Sequence, residues 1–308
     1  MNLIEEAARR LQQLEKAGIR VPEKPELGAK QESNGAPRAT RSARAQVRAR
    51  EDKRVEPLLP SDAGDGANFR KLDFARLQAG DFITPMVPDS VLLHEFRVIK
   101  RPLIQHALGR SGASAPNRNL IMVTSALAGE GKSFVALNLA MSIAMEVDCT
   151  VLLVDADVVS PSMPALLGIQ PAKGLMDLLL EPGLGFGKVL LRTNLDRLAL
   201  VLAGTAHRDA SELLASDAMS RLLNEVSSRY PDRIVIFDSP PLLSTTESRV
   251  LASHMGQVVV VVEAERTTHG ALESALSTVE GCPAVMTLLN RASESDAGAY
   301  YGNYGYGP

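Results

Sequence analysis

Apolar positions along this chain follow three different rhythms. From about residue 90 to 290, strand-length apolar runs rich in Val, Ile and Leu stand at 120–124, 151–154, 198–202, 234–237, 258–262 and 285–289. Runs of that length without polar alternation suit strands buried on both faces. Between them, apolar residues at helical spacing follow Gly131 and cover 212–228, 247–253 and 270–280. Strand and helix in alternation predict an α/β fold with a mostly parallel sheet and helices on both faces.

The first twenty residues keep a different period. Leu3, Ile4, Ala7, Ala8, Leu11 and Leu14 share one face of a short amphipathic helix over residues 3–17, with Gly18 as its stop. From about Pro22 to Gly66 the apolar pattern disappears. Pro, Gly, Ser and Ala dominate, and Arg38, Arg41, Arg44, Arg48, Arg50, Lys53 and Arg54 form a basic run. Such a segment cannot bury enough apolar surface to fold alone, so residues 21–88 read as a largely disordered basic linker. At the other end, residues 291–308 carry four of the chain's five tyrosines, Tyr300, Tyr301, Tyr304 and Tyr306, separated by glycines. They read as a flexible tail after a domain over 89–290.

Composition narrows the function. The chain has 308 residues and a formal net charge of −3, which argues against a general nucleic-acid binder. Its two cysteines, Cys149 and Cys282, make neither a disulfide framework nor a zinc site and suit a reducing cytoplasm. Five histidines, at 94, 106, 207, 254 and 269, show no metal spacing. No stretch approaches the ~20 apolar residues of a membrane span. The expectation is a cytoplasmic protein that reaches a membrane only through a partner.

The chemistry concentrates after three of the strands. Residues 126–133 read Ala-Leu-Ala-Gly-Glu-Gly-Lys-Ser, a phosphate-loop pattern with alanine in the first glycine position, placed between a strand and a helix as the motif requires. Gly129 and Gly131 let the backbone turn its N–H groups inward, and the helix start adds partial positive charge. Lys132 is placed to reach β- and γ-phosphate oxygens, and the Ser133 hydroxyl to bind Mg²⁺. The strand at 151–154 runs into Asp155 and Asp157, and the strand at 234–237 into Asp238. In an open parallel sheet, ligands bind beyond the carboxyl ends of the strands, so all three acids point toward the phosphate loop.

Together these segments resemble the bacterial tyrosine kinases of polysaccharide export, a branch of the MinD/ParA-like P-loop ATPases. They resemble most closely the autokinases that accompany exosortase-linked exopolysaccharide systems. The resemblance covers about residues 90–308 and rests on residues 129–133 (Walker A), 151–157 (Walker A′), 234–241 (Walker B) and the tyrosine tail. It implies ATP and Mg²⁺ as cofactors, with Gly129, Glu130, Gly131, Lys132, Ser133 and Phe134 around the nucleotide phosphates and Asn290 reading adenine. Lys132, Asp155 and Asp157 carry catalysis in that reading, with Asp155 orienting or deprotonating the attacking tyrosine. Ser133, Asp157 and Asp238 support the metal, and Tyr300, Tyr301, Tyr304 and Tyr306 accept phosphate. It also implies a homo-oligomeric ring, an activating membrane-embedded polysaccharide co-polymerase (a chain-length determinant) and a cognate tyrosine phosphatase, at the inner membrane.

Two departures stand out. The family's E-x-x-R-x-x-R helix motif here keeps Glu95 and Arg101 but has Val98 in the middle, with Arg97 one position earlier. The segment after Asp157, Val158-Val159-Ser160-Pro161, lacks the basic residue common there. The main rival is a MinD/ParA-type cargo-positioning ATPase, whose signature lysine stands five residues before the loop lysine; that position is Leu127 here. A nucleotide-binding export scaffold without kinase activity is the third reading.

Overall fold

The structure is a computed structural model that describes residues 68–110, 116–229 and 232–293. The helix expected at 3–17, the basic run and the tail tyrosines lie outside the described residues. Eight described strands form one sheet: β1 (Phe69–Arg70), β2 (Leu120–Ser125), β3 (Thr150–Asp155), β4 (Leu191–Thr193), β5 (Leu198–Val201), β6 (Arg233–Asp238), β7 (Gln257–Glu263) and β8 (Val285–Asn290). Their order is β1-β4-β5-β3-β6-β2-β7-β8. Every neighbouring pair runs parallel except β4 and β5.

Side chains of the central strands divide alternately between two cores, as the two-residue period of a strand dictates. Ile121, Val123, Val151, Leu153, Ile234, Ile236, Val259 and Val261 face one way. They meet α1 (Phe74–Ala79), α2 (Val91–Ala107), α3 (Lys132–Ala144) and α4 (Met163–Leu167). Leu120, Met122, Leu152, Val154, Val235, Phe237, Val258 and Val260 face the other. There they meet α5 (Leu175–Leu180), α6 (Ala210–Leu214), α7 (Asp217–Arg229), α8 (Glu247–Ala252) and α9 (His269–Ser277). Each fully buried Val, Leu or Ile contributes roughly 1.5–3 kcal/mol, so the unbroken apolar runs are what hold both helix layers to the sheet. The edge strand β8 is the exception, with burial alternating along its length and Leu289 exposed.

This topology makes the site. From β2 the chain crosses over β6 to β3 through α3 on one face; from β6 it crosses over β2 to β7 through α8 on the other. The two crossovers leave adjacent strands on opposite faces and open a crevice at their carboxyl ends. Loops carrying residues 126–131, 156–162 and 239–246 all emerge there.

All six expected strands are present, each within one residue of its expected ends. The described residues begin at Asn68, about twenty residues before the domain start expected at 89. Leu72, Leu77 and Ile83 are buried in the α1–α4 core, so residues 68–88 belong to the domain rather than to the linker. The helix expected over 212–228 is two: α6 ends at Leu214, and α7 restarts after Ser216, whose hydroxyl accepts from Met219 N at 3.3 Å. Asp209 precedes α6 without a capping bond from its side chain.

On α2, which carries Glu95 and Arg101, Val98 is exposed where the middle arginine of the motif would stand. Arg97, one position earlier, is exposed as well. Its guanidinium turns back to the Pro88 carbonyl (3.4 Å) and His94 (3.5 Å).

Candidate active site

The phosphate loop closes between β2 and α3. Gly129 and Gly131 both adopt left-handed backbone, φ 88° and 93°. At Gly131 a Cβ would stand 2.2 Å from Asn290 Nδ2, so the position excludes a side chain twice over. Gly131 is also the N-cap of α3, which starts at Lys132 and offers its first free N–H groups to the crevice. The loop braces itself from within: Ser125 Oγ donates to the Leu127 carbonyl at 2.6 Å, and Leu127 N donates to Glu130 Oε2 at 2.8 Å.

Three carboxylates meet this loop. Asp155 and Asp238 end neighbouring strands in register with one another, and Ala156 N donates to the Asp238 carbonyl at 2.8 Å. β3 stops at Asp155, so Asp157 reaches the site from a turn rather than from the strand: its own N–H donates to Asp155 Oδ1 at 3.3 Å. Asp157 Oδ1 accepts from Ser160 N at 3.1 Å, and Asp157 Oδ2 pairs with Lys132 Nζ at 2.9 Å. Met163 N caps Asp155 Oδ2 at 3.4 Å.

Burial sets the electrostatics. The Asp155 carboxyl is raised to about 7, mainly by burial and then by the neighbouring charges of Asp238 and Asp157, against the hydrogen bond from Met163. Asp238 is raised to about 6 by burial, with the Ser133 hydroxyl and the Lys132 ammonium acting the other way. Asp238 is fully buried, and neither of its carboxylate oxygens has a hydrogen bond of good geometry. An orphaned buried carboxylate beside a serine hydroxyl and an ammonium fits a hydrated divalent cation. Among the described residues no three His, Cys, Asp or Glu side chains converge into a metal cluster of their own.

Known proteins resemble this chain in sequence and fold. A ParA-group family model, described as a NUBPL iron-transfer P-loop NTPase, matches residues 117–268. EpsB of Ralstonia nicotianae, named as a putative tyrosine-protein kinase, is 31% identical over 226 residues, 71% of this chain and 29% of its own length. The tyrosine-protein kinase YwqD of Bacillus subtilis is 27% identical over 238 residues, 77% of this chain and 96% of its own. Over 71–77% of its length the chain is similar to these proteins, which are named as tyrosine-protein kinases. It spans less than a third of EpsB but matches nearly all of YwqD. The kinase domain of the Escherichia coli tyrosine kinase ETK has the same fold, with a TM-score of 0.54 at 24% identity over 70% of this chain and 80% of that domain.

The sheet edge contributes residues that the motifs do not announce. Thr267, in the turn after β7, donates its hydroxyl to Glu130 Oε1 and accepts from Glu263 N at 3.0 Å. Asn290 donates to the Glu130 carbonyl at 2.9 Å, so in this structure it ties down the loop. Arg266 and Arg291 both pair with Glu263, at 3.0 and 2.6 Å. Phe134, expected at the nucleotide, packs its ring against Phe82 with centroids 5.1 Å apart; only its backbone is left to face the phosphates.

Proposed function

We propose that this chain is an ATP-dependent protein-tyrosine autokinase. In this reading it phosphorylates its own Tyr300, Tyr301, Tyr304 and Tyr306, in trans within an oligomer, and so regulates exopolysaccharide synthesis and export. The observation that carries the reading is the convergence of Asp155, Asp157 and Asp238 on Lys132 and Ser133 at the mouth of a phosphate loop. Lys132 grips the β- and γ-phosphate oxygens, and the inward N–H groups of residues 129–133 hold the bridging end. Ser133, Asp238 and Asp157 hold Mg²⁺, which when bound neutralises charge on the phosphate oxygens.

Asp155 serves as the base. A carboxyl raised to about 7 is matched to neutral conditions for accepting a proton. The tyrosine oxygen bonds to the γ-phosphorus as the bond to the β–γ bridging oxygen breaks. ADP leaves, and the hydroxyl proton passes to Asp155. About sixteen residues of tail at ~3.3 Å each reach about 50 Å, enough for a neighbour's site. Each phosphotyrosine adds ~1.5–2 negative charges, which the acid-lined mouth repels, so product leaves.

The membrane link in this reading is a separate co-polymerase whose cytoplasmic end activates the kinase, with a phosphatase resetting the tail. Among the described residues no helix is long and apolar enough to cross a membrane. The rival cargo-positioning ATPase lacks its device here, because Leu127 cannot contact phosphate.

The test is the intact mass of the purified chain after Mg-ATP, with and without a candidate partner's cytoplasmic segment, beside Lys132→Met. The expected result is mass rising in phosphate steps confined to the tail peptide and absent in the variant. Nucleotide turnover with an unmodified tail, partner segment present, would overturn the autokinase reading in favour of an ATPase.

A further inference from the structure

Where β8 ends, the chain leaves the sheet in an unusual way. Arg291 adopts left-handed backbone, φ 57°, a conformation uncommon for a residue with a side chain. The turn sends its guanidinium back toward the phosphate loop, where Nη1 lies 2.6 Å from Glu263 Oε1 and donates to the Gly129 carbonyl at 3.3 Å. Glu263 Oε2 takes Arg266 at 3.0 Å, and Arg266 Nη1 would stand 3.5 Å from a Cβ on Gly129. The Glu263 side chain is 10% exposed, whereas Arg266 and Arg291 are more than half exposed. A fixed carboxylate thus aims two mobile arms at one glycine of the loop. The neighbouring Asn290 holds the next carbonyl, that of Glu130.

These contacts join two parts of the proposed reaction. The loop glycine belongs to the nucleotide site, and Tyr300 follows Arg291 by nine residues. We propose that Arg291 is a positioning residue that latches the root of the tyrosine tail to the phosphate loop, coupling nucleotide in the loop to the course of the tail. The inference rests on the autokinase reading of this site and adds a regulatory link to it. Nucleotide that reshapes residues 129–131 moves the carbonyl Arg291 holds, and with it the point from which the tail departs. Coupling of this kind is reciprocal: drawing the tail into a neighbour's site loosens the loop that must release ADP.

Hydrogen–deuterium exchange on the full chain, with and without saturating Mg-ADP, tests the latch in the wild type, Arg291→Gln and Arg291→Lys. In the wild type, nucleotide slows exchange at residues 126–133 and changes it at 291–299. Arg291→Gln keeps the loop protection and loses the tail-root change, while Arg291→Lys retains part of it, because a cation can still pair with Glu263. A residue that only stabilised the fold would alter both segments together. Loop protection with a silent tail root in the wild type, or an unaltered tail-root response in Arg291→Gln, overturns the latch alone. No loop protection in the wild type overturns the nucleotide-site reading and the latch with it.

Discussion

Lys132 and Asp157 hold each other across the phosphate loop, Nζ to Oδ2 at 2.9 Å, with the lysine side chain 15% exposed and the aspartate 6%. The lysine sits on the first residue of α3, and the acid just beyond the end of β3. A phosphate entering the loop has to draw the ammonium away from a carboxylate. In the autokinase reading Asp157 would serve two demands in sequence: keeping a poorly solvated cation neutralised, then supporting the metal once phosphate takes the lysine.

That competition gives a sign that differs between binding and chemistry. Asp157→Asn is expected to leave Mg-free ADP binding unchanged or up to about tenfold tighter, since the lysine loses its rival. Tail phosphorylation should fall by at least about tenfold, because a metal-supporting carboxylate is gone. Isothermal titration in EDTA, set beside single-turnover phosphorylation, separates the two effects. Equal losses in both would show that Asp157 merely supports the loop.

Asp155 predicts how the rate responds to pH. Its carboxyl, raised to about 7 by burial and by the charges of Asp238 and Asp157, is protonated in much of the free enzyme at pH 6. A base must be ionised to accept a proton, so kcat/KM for phosphotransfer should climb with a slope near one below about pH 7 and level off above it. In Asp155→Asn the profile should be low and flat. A wild-type profile flat from pH 6 to 8 would remove Asp155 from the role of base.

The same shift has the opposite consequence for stability. A carboxyl whose folded value lies above its ordinary 3.8 favours the folded state in its protonated form. That contribution is fully present below about pH 4 and is lost as pH rises through about 7. At pH 8 the ionised, buried Asp155 costs on the order of 4 kcal/mol, so Asp155→Asn should melt roughly 8–16 °C higher than the wild type. The gap should narrow as pH falls to 5 and close below about pH 4, the ordinary value of the carboxyl. Calorimetry of the nucleotide-free chain at both pH values is the check, and an unchanging gap would tie it to packing instead.

How much of this was legible before the structure depended on whether a feature is carried by one segment or by several. β2, β3, β6 and β7 are buried on both faces, so their sequences are unbroken apolar runs and each was readable alone. β1 and β4 have two and three residues, too short for any period to show. The break between α6 and α7 was signalled only by Ser216, a cap buried in an otherwise continuous helical pattern. Gly129, Lys132, Ser133, Asp155 and Asp238 could be found because each stands at a strand end or in a loop of recognisable spacing. Glu263, Thr267 and Arg291 could not. They reach the loop only because β7 lies beside β2 and β8 beside β7, an order that no local pattern encodes.

Thr267 makes that last point testable. Its hydroxyl spans from the loop to the sheet, donating to Glu130 Oε1 and accepting from Glu263 N. Glu130 is buried, and its other oxygen is held by Leu127 N within the loop itself. Thr267→Val keeps the shape but leaves a buried carboxylate oxygen and a backbone N–H unpaired, at a cost of about 1–3 kcal/mol. The cost falls on the loop as well as on the fold, so nucleotide affinity should drop by about tenfold alongside a lower melting temperature. Thr267→Ser restores the hydroxyl and should recover most of both. If Thr267→Ser were as impaired as Thr267→Val, the methyl group rather than the hydrogen bond would be holding Glu130 in place. A valine variant with unchanged affinity would show that the loop keeps its form without support from β7.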